Sequence, residues 1–174
     1  MLKVGITGGI GSGKTTVARV FEVQGIPVYY ADDAAKRLMN EDEALKQKIK
    51  EQFGESIYIN GNLNRKELAH IVFNAPEKLS LLNAIIHPAT IKDAARWMQQ
   101  QTTTYSIKEA ALIFESGAQD GVSREEVIAR MNKQMDEEIK MKLCNFVITN
   151  DEQELLIPQV LALHQTILSL TQNK

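Results

Sequence analysis

The feature that most narrows what this chain can become is a glycine-rich stretch set directly behind a short apolar run. Residues 2–7 read as a strand buried on both faces, and Gly8-Gly9-Ile10-Gly11-Ser12-Gly13-Lys14-Thr15 follows at once. Two glycines five apart, then Lys-Thr, form the phosphate-loop pattern: glycine lets the backbone bend around an anion with no Cβ in the way, so the amides turn inward. Beyond Lys14 the period becomes helical, with Val17, Val20, Phe21 and Gln24 on one side and Gly25 as a stop. Such a helix aims its open N–H groups and the positive end of its dipole at the phosphates. Gly9, Gly11, Ser12, Gly13, Lys14, Thr15 and Thr16 are therefore the expected phosphate-binding residues. Lys14 would reach the terminal phosphates of a nucleoside triphosphate, and the Thr15 hydroxyl suits Mg²⁺.

Strand and helix patterns then alternate. Residues 26–30 read as a second strand that Ala31-Asp32-Asp33 closes into a helix. Leu45, Ile49 and Phe53 recur at helical spacing, Asn60-Gly61 marks a tight turn, and Leu68, Ile71 and Val72 open another helical face. Leu79, Leu82 and Ile86 continue to His87-Pro88, where the proline restricts His87 and is expected to begin a new helix. Residues 107–114 return to strand character and end in Glu115. Ser123 and Glu126 form a capping-box pattern before a helix carrying Ile128, Met131, Met135 and Ile139. Residues 146–149 read as a last strand, and Leu156, Val160, Leu163, Ile167 and Leu170 make a closing amphipathic helix. The alternation predicts an α/β fold with a mostly parallel, doubly wound sheet, whose ligands gather beyond the carboxyl ends of the strands. The loop, Asp32, Glu115 and Asn150 all fall at such ends.

Composition limits the partners. Twenty Lys and Arg against 22 Asp and Glu in 174 residues give a net charge of -2. That leaves no basic field for a nucleic-acid backbone or an anionic membrane surface. The N-terminal apolar run is too short for a signal peptide, and no stretch approaches membrane-spanning length. A single cysteine, Cys144, excludes an internal disulfide and reads as a small core residue. A cytoplasmic, single-domain protein, monomeric or a weak homo-oligomer, is expected.

Asp32 and Asp33 have an ordinary structural reading as a cap and a favourable charge in a helix's first turn. With the phosphate loop in place, a carboxylate at the neighbouring strand end is also placed to accept the proton of an attacking alcohol, so Asp32 is the candidate base. Glu115 resembles the acidic strand end that supports Mg²⁺ or its waters, with a helix-capping role as the alternative. His70, His87 and His164 lie in unrelated segments without chelating spacing.

The wording of the loop is more specific than its pattern. Gly5-Ile6-Thr7-Gly8-Gly9-Ile10-Gly11-Ser12-Gly13-Lys14-Thr15-Thr16 resembles the opening of the dephospho-coenzyme A kinases. The resemblance continues through Ala31-Asp32, Phe53-Gly54, Gly61-x-Leu63-x-Arg65, Val72-Phe73, His87-Pro88, Phe114-Glu115, Gln134 and Ile148-Thr149-Asn150. It implies a P-loop NTPase-type three-layer sandwich with a core at about 1–40 and 104–174, a helical coenzyme-binding insertion at about 41–103, and a lid. It implies that Asp32 is the catalytic base for the ribose 3′-hydroxyl of dephospho-CoA, that Lys14 and the loop hold ATP with Mg²⁺, that Arg65 and His87 bind the acceptor, and that Asn150 lies near adenine. The chain departs from the family between Gln119 and Asp120, where a strand and a lid helix with its arginine, some twenty family positions, have no counterpart. A lid is expected to belong at that junction, leaving the two residues too far apart for a peptide bond. The resemblance leaves two alternatives open: a kinase for another small metabolite or nucleotide, and a nucleotide-binding switch without catalysis. No Asn-Lys-x-Asp guanine-reading element supports the switch.

Overall fold

A computed structural model describes residues 1–9, 11–73, 75–110, 141–151 and 153–172. In chain order the elements are β1 (Leu2–Ile6), α1 (Lys14–Val23), β2 (Val28–Tyr30), α2 (Ala31–Glu41), α3 (Glu43–Phe53), β3 (Tyr58–Ile59), β4 (Asn62–Leu63), α4 (Arg65–Phe73), α5 (Pro76–Gln99), β5 (Tyr105–Glu109) and α6 (Leu156–Gln172). The capping-box pattern, the helix predicted at 128–139 and the Gln119-Asp120 junction lie outside the described residues.

The main sheet is parallel, in the order β1-β5-β2. The chain therefore leaves β1, skips one strand position to form β2, and returns a long way later to fill the gap with β5. This corrects the expectation that the loop and Asp32 sit on neighbouring strands: β5 separates them. Adjacent strands lie about 4.8 Å apart, so the ends of β1 and β2 stand about 10 Å from each other.

Tyr105 and Ile107 on β5 are fully buried, and Val17, Ala18 and Phe21 of α1 pack with Val160 and Ile167 of α6 in the same core. The Tyr105 hydroxyl and His164 Nδ1 meet at 2.6 Å and join β5 to α6. β1 is not buried on both faces as expected. Alternate residues, Lys3 and Gly5, are exposed, the period-two pattern of a strand with one covered face, and β5 is its one ladder partner among the described residues. Residues 146–149 pair with no strand among the described residues, and Phe146 and Val147 are exposed although their side chains suit a strand. Cys144, in the same segment, is exposed rather than core.

A second apolar cluster joins the end of α2 to α3, α4 and α5 through Leu38, Leu45, Ile49, Leu68, Leu82 and Ile86. Asp42 caps α3 by accepting a hydrogen bond from the Leu45 amide at 3.0 Å. Asn60 and Gly61 take φ of 51° and 79°, the two positive values that a two-residue type I′ hairpin between β3 and β4 requires. The hairpin is pinned to α2: Tyr58 Oη donates to the Met39 carbonyl at 2.8 Å, and the Leu63 amide donates to Asn40 Oδ1 at 2.9 Å.

His87-Pro88 does not start a helix. Pro88 lies inside the 24-residue α5, which runs through it. A proline in a helix interior costs about 3 kcal/mol through its missing N–H and its ring clash. Burial outweighs this, since Leu82, Ile86 and Met98 are almost inaccessible and each contributes about 1.5–3 kcal/mol.

The two clusters are joined by Asp93 of α5, which accepts hydrogen bonds from Arg37 at 2.6 Å, Arg96 at 2.8 Å and the Tyr29 hydroxyl at 2.8 Å. Burial pushes the Asp93 carboxyl up, but the hydrogen bonds from Arg96 and Tyr29, with the charges of Arg37 and Arg96, outweigh it and hold the group below its ordinary value. A depressed carboxylate contributes stability that is complete above its unfolded pKa of about 3.9 and is lost as pH falls through the folded value. Asp93→Asn is thus expected to be about 1–3 kcal/mol less stable than the parent near neutral pH, with the gap closing below about pH 4. Urea melts across that range test it, and a gap independent of pH contradicts it.

Candidate active site

The phosphate loop is shaped by its own backbone. Gly13 takes φ 85° and ψ 16° as the residue before α1, and no side chain caps the helix, so its first amides stay open toward the loop. The Ser12 amide donates to the Gly9 carbonyl at 3.3 Å. Lys14 Nζ folds back over the loop and donates to the carbonyls of Gly8 at 3.0 Å and Gly9 at 2.7 Å. The ammonium is therefore already above the loop before any anion arrives.

Asn150 closes the far side. Its Nδ2 donates to the Ser12 carbonyl at 3.2 Å, and a Cβ added at Gly13 would run into that same amide. Left-handed backbone costs a residue with a Cβ about 1–2 kcal/mol even in open space. Gly13→Ala is accordingly expected to weaken ATP binding at least about tenfold, the equivalent of 1.4 kcal/mol. Calorimetric titration with ATP measures this, and parental affinity would show that the loop tolerates the methyl group.

The structure brings a residue to the site that the sequence pattern did not suggest. Parallel register places Glu109, the last residue of β5, between Ile6 of β1 and Tyr30 of β2. Its carboxylate is buried, accepts a hydrogen bond from the Thr15 side chain, and lies within electrostatic reach of Lys14, Asp32 and Asp33. Burial pushes this carboxyl above its ordinary value, the charge of Asp32 adds to the rise, and Lys14 opposes it. A strand predicted to run to residue 114 places its acidic end at Glu115. The described strand stops at Glu109, and Glu115 lies outside the described residues. The available signal was the charge at 108–109, which interrupts the apolar run.

Asp32 is half-buried in the first turn of α2 and, with Lys14, faces the Glu109 carboxylate electrostatically. Its site is thus the one that the loop and β5 share. Arg65 and His87 are set apart from it, at the start of α4 and within α5, where neither makes a side-chain hydrogen bond or ion pair with the described residues. A cleft of about 220 Å³ beside the loop runs from Thr7, Gly9 and Lys14 to Phe146, Ile148 and Asn150. Among the described residues no three His, Cys, Asp or Glu side chains gather as a metal site. Thr15 and Glu109 nevertheless offer the pair of hard oxygen donors that suits Mg²⁺, an ion that usually keeps several waters and takes few protein ligands. No described helix is long and apolar enough to cross a membrane.

Comparison with known proteins identifies the family. Residues 2–120 match the family model for dephospho-CoA kinase. A dephospho-CoA kinase of Bacteroides fragilis is 33% identical over 186 residues, covering 93% of this chain and 91% of the relative. One from Mannheimia succiniciproducens is 34% identical over 200 residues, covering 98% and 94%. Both alignments are longer than the 174-residue chain, so each relative carries residues with no counterpart here. A crystal structure from Thermus thermophilus superposes with a TM-score of 0.78 at 31% identity, covering 95% of this chain and 96% of that one.

Proposed function

Since the chain belongs to the dephospho-CoA kinase family, we propose that it transfers the γ-phosphoryl group of ATP to the ribose 3′-hydroxyl of dephospho-CoA, yielding CoA and ADP, the last step of coenzyme A biosynthesis. The observation that carries the reading is the meeting of three groups at one end of the sheet: Lys14 over the loop, Glu109 against Thr15, and Asp32 across β5.

In this reading the loop amides and the open start of α1 bind the triphosphate, and Lys14 shifts from the loop carbonyls to the terminal phosphates. Asp32 accepts the proton of the attacking 3′-hydroxyl. Thr15 and Glu109 would hold Mg²⁺, directly or through water, and the ion would disperse phosphate charge. Asn150, with the cleft beside it, lies on the adenine side, while Arg65 and His87 on the helical block take the acceptor. That block, from α3 to α5, acts as an acceptor-binding insertion in a single domain.

ADP release measured with a panel of hydroxylated acceptors tests the reading. Turnover is expected with dephospho-CoA and Mg²⁺-ATP, with adenosine and simple nucleotides much slower. Turnover confined to another acceptor would move the protein to a different metabolite kinase, and nucleotide binding without transfer to any acceptor would make it a switch.

A further inference from the structure

Asp93 lies far along α5 from the groups assigned to chemistry, yet it is the most heavily partnered carboxylate among the described residues. It is 7% exposed, and its donors come from three elements: Tyr29 of β2, Arg37 of α2 and Arg96 of α5 itself. The Tyr29 hydroxyl also stands 3.5 Å from the Thr90 carbonyl, and the Tyr29 ring packs against Trp97 with centroids 5.5 Å apart. Between these anchors the contact is made of small side chains, Ala31, Ala34 and Ala94, which bring α2 and α5 close together.

Tyr29 and Arg37 bracket Asp32 in the chain, three residues before it and five after it, and both are tied to the same carboxylate. The backbone that carries Asp32 is thus fixed from each side to α5, the helix that also bears His87. Apolar side chains could hold two helices together without desolvating a charge, and replacing a buried ion pair by them is often neutral or stabilising. What they would not supply is a fixed direction, which three hydrogen bonds to one carboxylate do.

We propose that Asp93 is a positioning residue for phosphoryl transfer, holding the first turn of α2 so that the Asp32 carboxylate keeps its place relative to the loop and the acceptor-bearing helix. This rests on the kinase reading, with Asp32 as the base. Asp93 touches neither substrate. Its effect passes through α2, and in-line transfer is sensitive to displacement on the ångström scale.

The test compares the full-length parent with Asp93→Asn, Tyr29→Phe and Arg37→Gln by steady-state ADP release, thermal melting and emission of Trp97, the chain's single tryptophan. Asp93→Asn is expected to lower kcat about 10–100-fold while KM for ATP stays within about twofold, with a shifted Trp97 emission showing the loosened joint. Tyr29→Phe and Arg37→Gln, each removing one donor, are expected to lower kcat about 3–10-fold with the same split. Folded variants with parental kcat, or a kcat loss matched by an equal rise in KM for ATP, overturn the proposal. If Asp93→Asn does not melt cooperatively, the other two variants decide: a threefold loss with KM for ATP retained in either supports it, and parental rates in both sink it. A parent that binds ATP but never phosphorylates dephospho-CoA removes the kinase reading and the positioning role together, whereas an active parent with unimpaired variants removes the positioning role alone.

Discussion

Asp32→Asn is expected to lower kcat for dephospho-CoA phosphorylation by about 10²–10⁴-fold, the range for loss of a positioned proton acceptor. ATP affinity should stay within about twofold, because Asp32 stands at the end of β2, with β5 between it and the strand that leads into the loop. The purely structural role of this residue predicts something much smaller. Asp32 is one of two acids in the first turn of α2, whose preceding residue, Tyr30, makes no side-chain cap, so the helix loses about 0.3–1 kcal/mol of dipole interaction at most. A melting temperature near the parent's with turnover collapsed identifies the base. A modest loss of stability with turnover intact leaves Asp32 as a helix-start residue and moves the search to Glu109.

Lys14→Met is expected to reduce kcat/KM for ATP by about 10²–10³-fold, comparable to removing one preorganised donor from a developing charge. The parent ammonium already satisfies two loop carbonyls, at 3.0 and 2.7 Å, so it is held within the loop when no anion is present. Its replacement leaves those carbonyls to water and deprives the terminal phosphates of their point charge. Both ATP affinity and kcat should fall, in contrast to Asp32→Asn, where kcat alone falls. Steady-state kinetics combined with direct ATP titration separates the two patterns. A variant within tenfold of the parent would mean that the loop amides and the start of α1 carry the donor site unaided.

Glu109 gives the same centre an electrostatic logic. A buried carboxylate beside Asp32 raises the cost of ionising the pair, and Lys14 and the Thr15 hydroxyl offset part of that cost. Two acids and one ammonium around a phosphate opening form a site that gains from a bound cation, in keeping with a Mg²⁺-dependent transfer.

Much of the chain's local structure was legible in its residues. The loop, the helix behind it, its Gly25 stop, the Asn60-Gly61 hairpin and the faces of α3, α4 and α6 were readable because each depends on neighbours within a turn or two: a positive φ that glycine permits, a cap, or an apolar period of 3.6. The family wording around Gly8 to Thr16 also named the chemistry. Tertiary structure alone decided the rest. Strand order follows from long-range pairing, and this placed β5 between the loop and Asp32 and put Glu109 rather than Glu115 at the centre of the described site. Burial on both sides carried α5 through Pro88 against the local preference, and residues 146–149, whose side chains favour a strand, pair with none among the described residues. The physical reason is the same in each case: a turn or a helix face satisfies its hydrogen bonds locally, whereas a strand, a buried carboxylate or a proline-bearing helix acquires its partners only when the chain has closed on itself.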